Sequence, residues 1–161
     1  MADGMADAAT ELIADARRRL TGVARERLGV RSEGRRLLGF GRATRILPVG
    51  DAWHLGVLLI ADEKVFATGE LLRARAEAIR GYTAEAQRAR SERAAAAFRG
   101  GFAEGEPVHL DWSPIDLDVV DAGGASGPLA RADDGVVTVA FAAGARMPLA
   151  AYLDDRIALL P

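Results

Sequence analysis

Cysteine is absent from the 161-residue chain. Its absence excludes disulfide bonds, thiolate zinc sites, iron–sulfur clusters and cysteine nucleophiles. A chain of this length can bury about 70% of its unfolded surface, so it needs no covalent cross-link to hold a core. Because a lack of cysteine is typical of a reducing compartment, we expect a cytoplasmic protein.

Long hydrophobic runs are also absent. The longest, Leu55–Ile60, is far shorter than the roughly 18 consecutive apolar residues of a membrane-spanning helix. The N-terminal stretch MADGMADAATELIADARRR is acidic and lacks the continuous apolar core of a secretion signal. The sequence therefore predicts neither a membrane segment nor secretion.

Neither sign of charge is in large excess, because 23 acidic residues face 21 basic ones and the net charge is -2. Such a balance gives no overall attraction to nucleic acid or to anionic membranes. The charges are nevertheless segregated: arginines recur in Arg17–Arg19 and Arg88–Arg99, whereas the segment from Glu104 to Asp121 contains no lysine or arginine. We expect this acidic segment to face the arginines of Glu70–Arg99, within one molecule or across a homo-oligomer. A different protein partner is the alternative.

The strongest strand signal lies in Arg45–Glu70. A short apolar run with β-branched residues and turn signals at both ends is typical of a strand covered on both faces. We predict a central strand at Trp53–Ile60 with a hairpin partner at Val65–Thr68. Strand alternation then places Trp53, Leu55, Val57 and Leu59 on one face, and His54, Gly56, Leu58 and Ile60 on the other.

Three segments have helical signals. Apolar residues spaced three and four apart form a stripe in Ala8–Arg27, with Thr10 as the expected cap. Thr83–Arg99 begins with a good capping residue and ends at a glycine pair. Pro148–Leu160 predicts a short amphipathic C-terminal helix, because proline is favoured in a helix's first turn.

The fold class follows from these elements and the weaker strand signals. Those strands are predicted at Leu37–Leu47 with a glycine bulge, at the exposed edge Glu70–Ile79, and at Val108–Trp112, Ile115–Val120 and Val136–Phe141. Loops are predicted at Val30–Arg36 and Asp121–Pro128, and Asp133-Asp134-Gly135 is predicted to turn a hairpin into Val136–Phe141. We predict an α+β fold, with a mostly antiparallel sheet of about five to seven strands packed with two long helices and a short C-terminal helix. Residues 1–34 form an N-terminal helix and linker in this interpretation, and residues 35–161 form a single α+β domain.

Most catalytic motifs are missing from the sequence. There is no GxxxxGK[ST] loop, and Gly39-Phe40-Gly41 lacks the third glycine of a nucleotide-binding loop. Ser126 lies in GASGP, which lacks the glycine that a nucleophile elbow carries two residues after its serine. We therefore expect no cofactor.

The two histidines carry the one candidate site. They occur as Asp51-x-x-His54 and as His109-x-Asp111, each in a predicted strand. If the two strands are neighbours, two imidazoles and a carboxylate would converge, and such a set can hold a metal ion or transfer protons. The alternative is that each histidine is a hydrogen-bonded core residue.

Two long stretches, Gly41–Glu70 and Arg80–Val108, carry a family resemblance. The chain resembles a family of short actinobacterial proteins that are sometimes labelled glutaminase. The resemblance extends to the GGASGPLA loop and the C-terminal YLDDRIALL. It implies hydrolysis of glutamine to glutamate and ammonia, and it implies no site residues because no catalytic motif defines the family.

The residues that known glutaminase chemistries require can be compared with this chain. One chemistry uses a cysteine nucleophile and another uses Ser-x-x-Lys, but the only lysine is Lys64 and residue 61 is alanine. We therefore favour a non-catalytic binding or interaction module. The alternatives are a small hydrolase, labelled glutaminase or metal-dependent, that uses Asp51, His54, His109 and Asp111, and a nucleic-acid-binding protein that uses arginine-rich helices.

Overall fold

The structure, a computed structural model, describes residues 7–33, 43–79, 81 and 83–161. The helices are α1 (Ala9–Arg19), α2 (Glu85–Gly100), α3 (Leu117–Asp121) and α4 (Leu149–Ala158). The strands are β1 (Glu26–Ser32), β2 (Arg45–Leu55), β3 (Leu58–Ile60), β4 (Val65–Ala67), β5 (Glu70–Arg73), β6 (Pro107–Leu110), β7 (Ser113–Pro114), β8 (Ala125–Ser126), β9 (Leu129–Arg131), β10 (Val137–Ala142) and β11 (Ala145–Pro148).

The predicted α+β class is confirmed. Hydrogen bonding orders the strands as β5-β6-β1-β2-β3-β4-β7 in a seven-stranded sheet and as β11-β10-β9-β8 in a four-stranded sheet. The ladder between β1 and β6 is parallel, whereas the ladders that β3, β5 and β10 form are antiparallel. The predicted mostly antiparallel character is therefore also confirmed. None of the helices in the described ranges is long and apolar enough to cross a bilayer.

The described residues divide into two units. The first unit comprises residues 7–25, 52–68 and 113–161, and the second comprises the described parts of 26–51 and 69–112. Strand β2 begins in the second unit and ends in the first. The boundary that the sequence suggests between residues 34 and 35 lies outside the described residues, as do Gly39-Phe40-Gly41 and the start of the strand predicted at Leu37–Leu47.

The apolar run of the first unit is a β-hairpin, and the prediction of one central strand at Trp53–Ile60 is wrong. Leu55 pairs with Leu58, so the loop between them has two residues. Gly56 occupies the first loop position with φ +61, which is typical of a type II′ turn. The run is apolar on both strands because the strand residues beside the turn are buried, with Leu55 at 1% and Leu58 at 0% exposure.

The turn changes which side chains share a face. Trp53 pairs with Ile60 and His54 pairs with Leu59 across the hairpin. Directly paired residues project to the same side of a sheet, so Trp53 and Ile60 share one face and His54 and Leu59 share the other. The predicted hairpin between the end of this run and Val65–Thr68 is confirmed as β3 and β4.

Tyr152 of α4 forms hydrogen bonds with the backbone of the β2–β3 turn. Its hydroxyl accepts a hydrogen bond from the Val57 amide at 2.8 Å and donates one to the Leu55 carbonyl at 3.0 Å. The side chain is 1% exposed. The C-terminal helix that the sequence predicts at Pro148–Leu160 thus has a specific role in positioning the β2–β3 turn.

Helix α1 packs its predicted apolar stripe inside the first unit. Ile13, Ala16 and Leu20 are each fully buried. The helix nevertheless ends at Arg19 instead of Arg27, because Gly22 turns the chain at φ +86. A second copy of the chain cannot use this stripe as its interface, since the stripe already belongs to the unit's core.

The predicted cap of α1 is also different. Thr10 lies inside the helix, and Asp121 caps it from α3. The Asp121 carboxylate accepts hydrogen bonds from the Ala9 amide at 2.6 Å, the Thr10 amide at 3.2 Å and the Thr10 hydroxyl at 2.6 Å. A carboxylate in this position also interacts favourably with the helix dipole.

The strand predicted at Ile115–Val120 is wrong, because that segment contains α3. Asp116 caps this helix by accepting hydrogen bonds from the Asp118 and Val119 amides at 3.1 and 3.2 Å. The alternation in Asp116-Leu117-Asp118-Val119 is therefore a capping sequence followed by a short helix. The loop predicted at Asp121–Pro128 contains the end of α3 and strand β8.

The four-stranded sheet completes the first unit. The hairpin predicted around Asp133-Asp134-Gly135 is confirmed as β9 and β10, with Val137 paired to Arg131. Strand β11 was not predicted, although Gly144 at φ +71 marks the turn that leads into it. The side chains of this sheet join the core that α1 and α4 cover, and Leu129, Val137 and Val139 are buried there.

In the second unit, α2 shares a buried core with the strands β5, β6 and β2. Small side chains let the helix approach closely, and Ala94, Ala96 and Ala97 are buried with Phe102. The expected glycine stop is confirmed, because Gly101 ends α2 at φ +116. The edge strand predicted at Glu70–Ile79 is shorter, since only Glu70–Arg73 is strand.

Strand β1 of the second unit was not predicted. The sequence suggests helix up to Arg27 and a loop at Val30–Arg36, but Glu26–Ser32 forms a parallel ladder with β6. Arg27 pairs with Val108. The partner strand lies about eighty residues away in the sequence, so local propensity held no signal for this pairing.

Candidate functional site

His109, one of the predicted site residues, lies in β6 and is 1% exposed. Its Nε2 is 2.9 Å from Oε2 of Glu26 in β1. The parallel register that pairs Leu28 with His109 brings Glu26 to this position. Sequence reasoning missed Glu26 because it assigned that residue to the end of the first helix.

Asp111 follows β6 and takes part in an ion pair. Its backbone has a φ of +58, which Asp tolerates better than most residues. Its carboxylate accepts hydrogen bonds from both terminal nitrogens of Arg31 in β1, one of them at 3.1 Å. Asp111 and Arg31 therefore link the end of β6 to β1.

Asp51 and His54 both lie in β2, in different units. Asp51 is exposed in the part of β2 that belongs to the second unit. His54 belongs to the first unit, is half-buried, and places its Nε2 2.9 Å from the carbonyl oxygen of Gly56. The hypothesis that Asp51, His54, His109 and Asp111 share one site stays a prediction.

Ser126 has a structural role in the first unit. Its hydroxyl oxygen accepts a hydrogen bond from the Asp116 amide at 2.8 Å. The residue lies in the two-residue strand β8, which leads into β9, and no helix follows it directly. This placement is not the strand–turn–helix of a nucleophile elbow.

The arginine cluster of α1 also serves the first unit. Arg17 donates to the backbone oxygens of Ala61 and Lys64 at 2.8 and 3.3 Å. Arg19 forms an ion pair with Asp154 at 2.7 Å, and Arg18 lies 3.4 Å from Asp15. Each arginine of this cluster therefore has a partner within the first unit.

A groove between β5 and α2 is a candidate site of the second unit. It encloses about 470 Å³, which lies within the range of small-molecule sites. Its lining residues come from the strand, the segment that follows it and the middle of the helix: Leu71, Leu72, Arg73, Arg75, Ile79, Gln87, Arg90, Ser91 and Ala94. We call this feature the β5–α2 groove.

Backbone hydrogen bonds hold the two sides of the β5–α2 groove together. The Arg75 amide donates to the Ala94 carbonyl of α2 at 3.1 Å. The Ile79 amide donates to the Ser91 hydroxyl at 2.6 Å. The segment after β5 therefore follows the helix and forms one wall of the groove.

Three arginines give the β5–α2 groove its charge. Arg73 donates to the Gly105 carbonyl and Arg90 donates to the Leu71 carbonyl, each at 3.0 Å. No hydrogen bond or ion pair joins the Arg75 guanidinium to the residues that the structure describes. The groove thus has two anchored guanidinium groups and one that is available to a ligand.

The sequence held part of the signal for this groove. The alternation of arginine with alanine through Arg73 and Arg75 places both side chains on one side of the chain. The net positive charge of α2 indicated a basic face. What no local pattern could show is that α2 crosses β5, which brings Arg90 to the same groove.

Comparison of the chain with protein-family models, curated proteins and solved structures found no match.

Proposed function

We propose that the protein is a non-catalytic binding module of the cytoplasm and that its ligand site is the β5–α2 groove. The observation that carries the proposal is the composition of the groove's lining. The described lining residues include three arginines but no histidine, lysine or carboxylate. General acid–base chemistry and metal binding rely on such groups, whereas guanidinium groups bind anions.

Ser91 is the only hydroxyl among the described lining residues. Its oxygen accepts a hydrogen bond from the Ile79 amide. A serine nucleophile needs an adjacent base to take its proton, and the lining residues include no such group. Ser91 is therefore suited to position the segment after β5 and not to attack a substrate.

The contacts of side chains that the sequence analysis considered for catalysis support the same proposal. Asp111 pairs with Arg31, His109 lies against Glu26, and Ser126 holds the Asp116 amide. Each of these contacts joins two elements of one unit. Polar groups in such contacts stabilise a fold, because an unpaired buried polar group costs free energy.

The proposal is tested by a native mass spectrum of untagged protein together with an assay of glutamine turnover. We expect a noncovalent anion bound to the purified chain and no ammonia release above that of the heat-denatured protein. Ammonia release that the Ser126→Ala or His109→Gln variant abolishes would overturn the proposal in favour of the glutaminase activity that the family resemblance implies. Folding of each variant is checked by circular dichroism.

A further inference from the structure

We infer that the β5–α2 groove binds a small organic anion that carries a carboxylate or phosphate group on an apolar body. This inference rests on the proposed binding function and adds the chemical class of the ligand. It draws on the charge of the groove, the geometry of its arginines and the apolar residues beside them.

The charge in the groove is positive and only partly neutralised. Glu70 pairs with Arg93 at 2.9 Å and lies 3.8 Å from Arg90, so it neutralises this groove arginine only in part. Glu104 accepts the amide hydrogen of Ala76 at 2.5 Å. Neither acid lines the groove. A bound anion would therefore meet attraction from three guanidinium groups.

The arginines can offer several donors to one ligand. A guanidinium carries five N–H donors in a planar fork that matches a carboxylate or a phosphate. Arg73 and Arg90 each use a donor on a backbone carbonyl, which fixes their positions and leaves further donors. Arg75 forms no side-chain bond with the described residues, so its full fork can face the ligand.

The apolar part of the ligand is inferred from the floor and walls of the groove. Leu72 and Ala94 form a buried floor, at 1% and 6% exposure. Leu71 and Ile79 also line the groove and are 39% and 46% exposed. Covering large apolar side chains stabilises a complex by about 25 cal/mol per Å² of apolar surface removed from water. An inorganic anion alone would leave this surface uncovered.

The test uses four probes of graded chemistry on the full chain: octyl phosphate, octanoate, octanol and inorganic phosphate. Isothermal titration calorimetry measures binding, and proton NMR of the probes measures whether they are consumed. We expect one of the two amphipathic anions to bind at least about tenfold more tightly than either octanol or inorganic phosphate. Octanol lacks the anionic group that the arginines bind, and inorganic phosphate lacks the apolar chain that covers the leucines and Ile79. Preference between octyl phosphate and octanoate identifies the head group.

Variants locate the site. Arg75→Gln should weaken binding of the preferred probe by about tenfold or more, which is the usual effect of losing a charge-assisted hydrogen bond. Arg75→Lys should recover only part of the affinity, because lysine keeps the charge but lacks the fork. Ile79→Ser should weaken the octyl probes and leave inorganic phosphate unchanged. The matched control is Arg88→Gln, an exposed arginine of α2 that does not line the groove.

The possible outcomes separate this inference from the proposed function. If no probe binds, if inorganic phosphate binds as tightly as the amphipathic anions, or if Arg75→Gln weakens binding no more than Arg88→Gln, the ligand class assigned to the groove is wrong. A different anion that co-purifies with the chain would in those cases leave the binding function standing. Consumption of a probe would instead contradict the non-catalytic function.

Discussion

Replacing Asp121 with alanine should destabilise the first unit, because this carboxylate joins α3 to α1 and to β9. The Asp121 carboxylate accepts hydrogen bonds from the Ala9 and Thr10 amides at the start of α1, and the Thr10 hydroxyl donates to it at 2.6 Å. Arg131 of β9 completes the set at 3.3 Å. The carboxylate and the guanidinium are only 22% and 21% exposed, so solvent can replace these bonds only in part.

The expected loss of unfolding free energy in Asp121→Ala is the sum of the contributions of the bonds that the carboxylate makes. Loss of a helix cap costs about 0.5 to 2 kcal/mol, and loss of the Thr10 hydroxyl bond costs roughly 1 kcal/mol more. Arg131 would lose its carboxylate partner while it stays mostly buried, and its Nε already lacks a hydrogen-bond partner among the described residues. We expect a total of about 2 to 4 kcal/mol in the free energy of unfolding.

Urea denaturation followed by far-ultraviolet circular dichroism measures this loss. Asp118→Ala is the matched control, since Asp118 lies in the same helix, is exposed and accepts no hydrogen bond from the described residues through its side chain. The control should cost less than about 1 kcal/mol. Equal destabilisation by the two substitutions would refute the capping role of Asp121.

The same contact predicts a pH dependence. Burial raises the pKa of Asp121, but hydrogen bonds from Thr10, from the Ala9 and Thr10 amides and from Arg131 together outweigh it and hold the pKa below its ordinary value of 3.8. The folded state therefore favours the ionised form, and the resulting stability is present above pH 3.8. It should be lost as the pH falls from there through the lower folded-state pKa. The stability difference between the wild type and Asp121→Asn should shrink over that interval, and a constant difference would contradict the linkage.

Two further substitutions test close packing within the units. Gly100→Ala should cost about 1 to 3 kcal/mol, because the added carbon would overlap the backbone of β2. Gly50→Ala is its control, since no atom of the described residues lies within 4 Å of the added carbon, and equal melting temperatures of the two variants would contradict the prediction. Tyr152→Phe should cost about 1 to 3 kcal/mol, because an amide and a carbonyl at the β2–β3 turn lose their buried partner. A change below about 0.5 kcal/mol in urea titration would show that the hydroxyl does not fasten the hairpin.

The sequence predicted best those elements whose signals are local and periodic. The apolar stripe of α1, the glycine stop of α2 and the β9–β10 turn each depend on residues within about one or two turns of chain. The sequence also contains a signal for the hairpin at Gly56, because a glycine inside an apolar run allows a two-residue turn. The residues on either side of Gly56 nevertheless predict one continuous strand. Both strands are buried beside the turn, so neither shows the polar face that would separate them.

Strand β1 shows where local reasoning stops. Glu26 and Arg27 continue the charged helical pattern of α1, and only the distant β6 makes them a strand. Once β1 is placed, Glu26 reaches His109 and Arg31 reaches Asp111. The sequence could predict neither the contact of His109 with Glu26 nor that of Asp111 with Arg31, because both depend on one long-range parallel pairing of strands.

The same strand explains why the β5–α2 groove keeps its positive charge. The sequence predicted that the acids of the segment from Glu104 to Asp121 would face the arginines of Glu70–Arg99, within one molecule or across a homo-oligomer. In the second unit, Glu106 instead pairs with Arg27 of β1 at 2.5 Å, and this contact holds the pKa of Glu106 below its ordinary value. Asp111 pairs with Arg31 of the same strand.

Two carboxylates that could have neutralised the groove are thus held by β1. Arg75 and its two neighbours in the groove consequently face no lining acid among the described residues. An exposed cluster of like charges is unfavourable unless solvent or a counter-charge offsets it. The placement of β1 therefore accounts both for the contacts of His109 and Asp111 with Glu26 and Arg31 and for the cationic character of the groove's described lining.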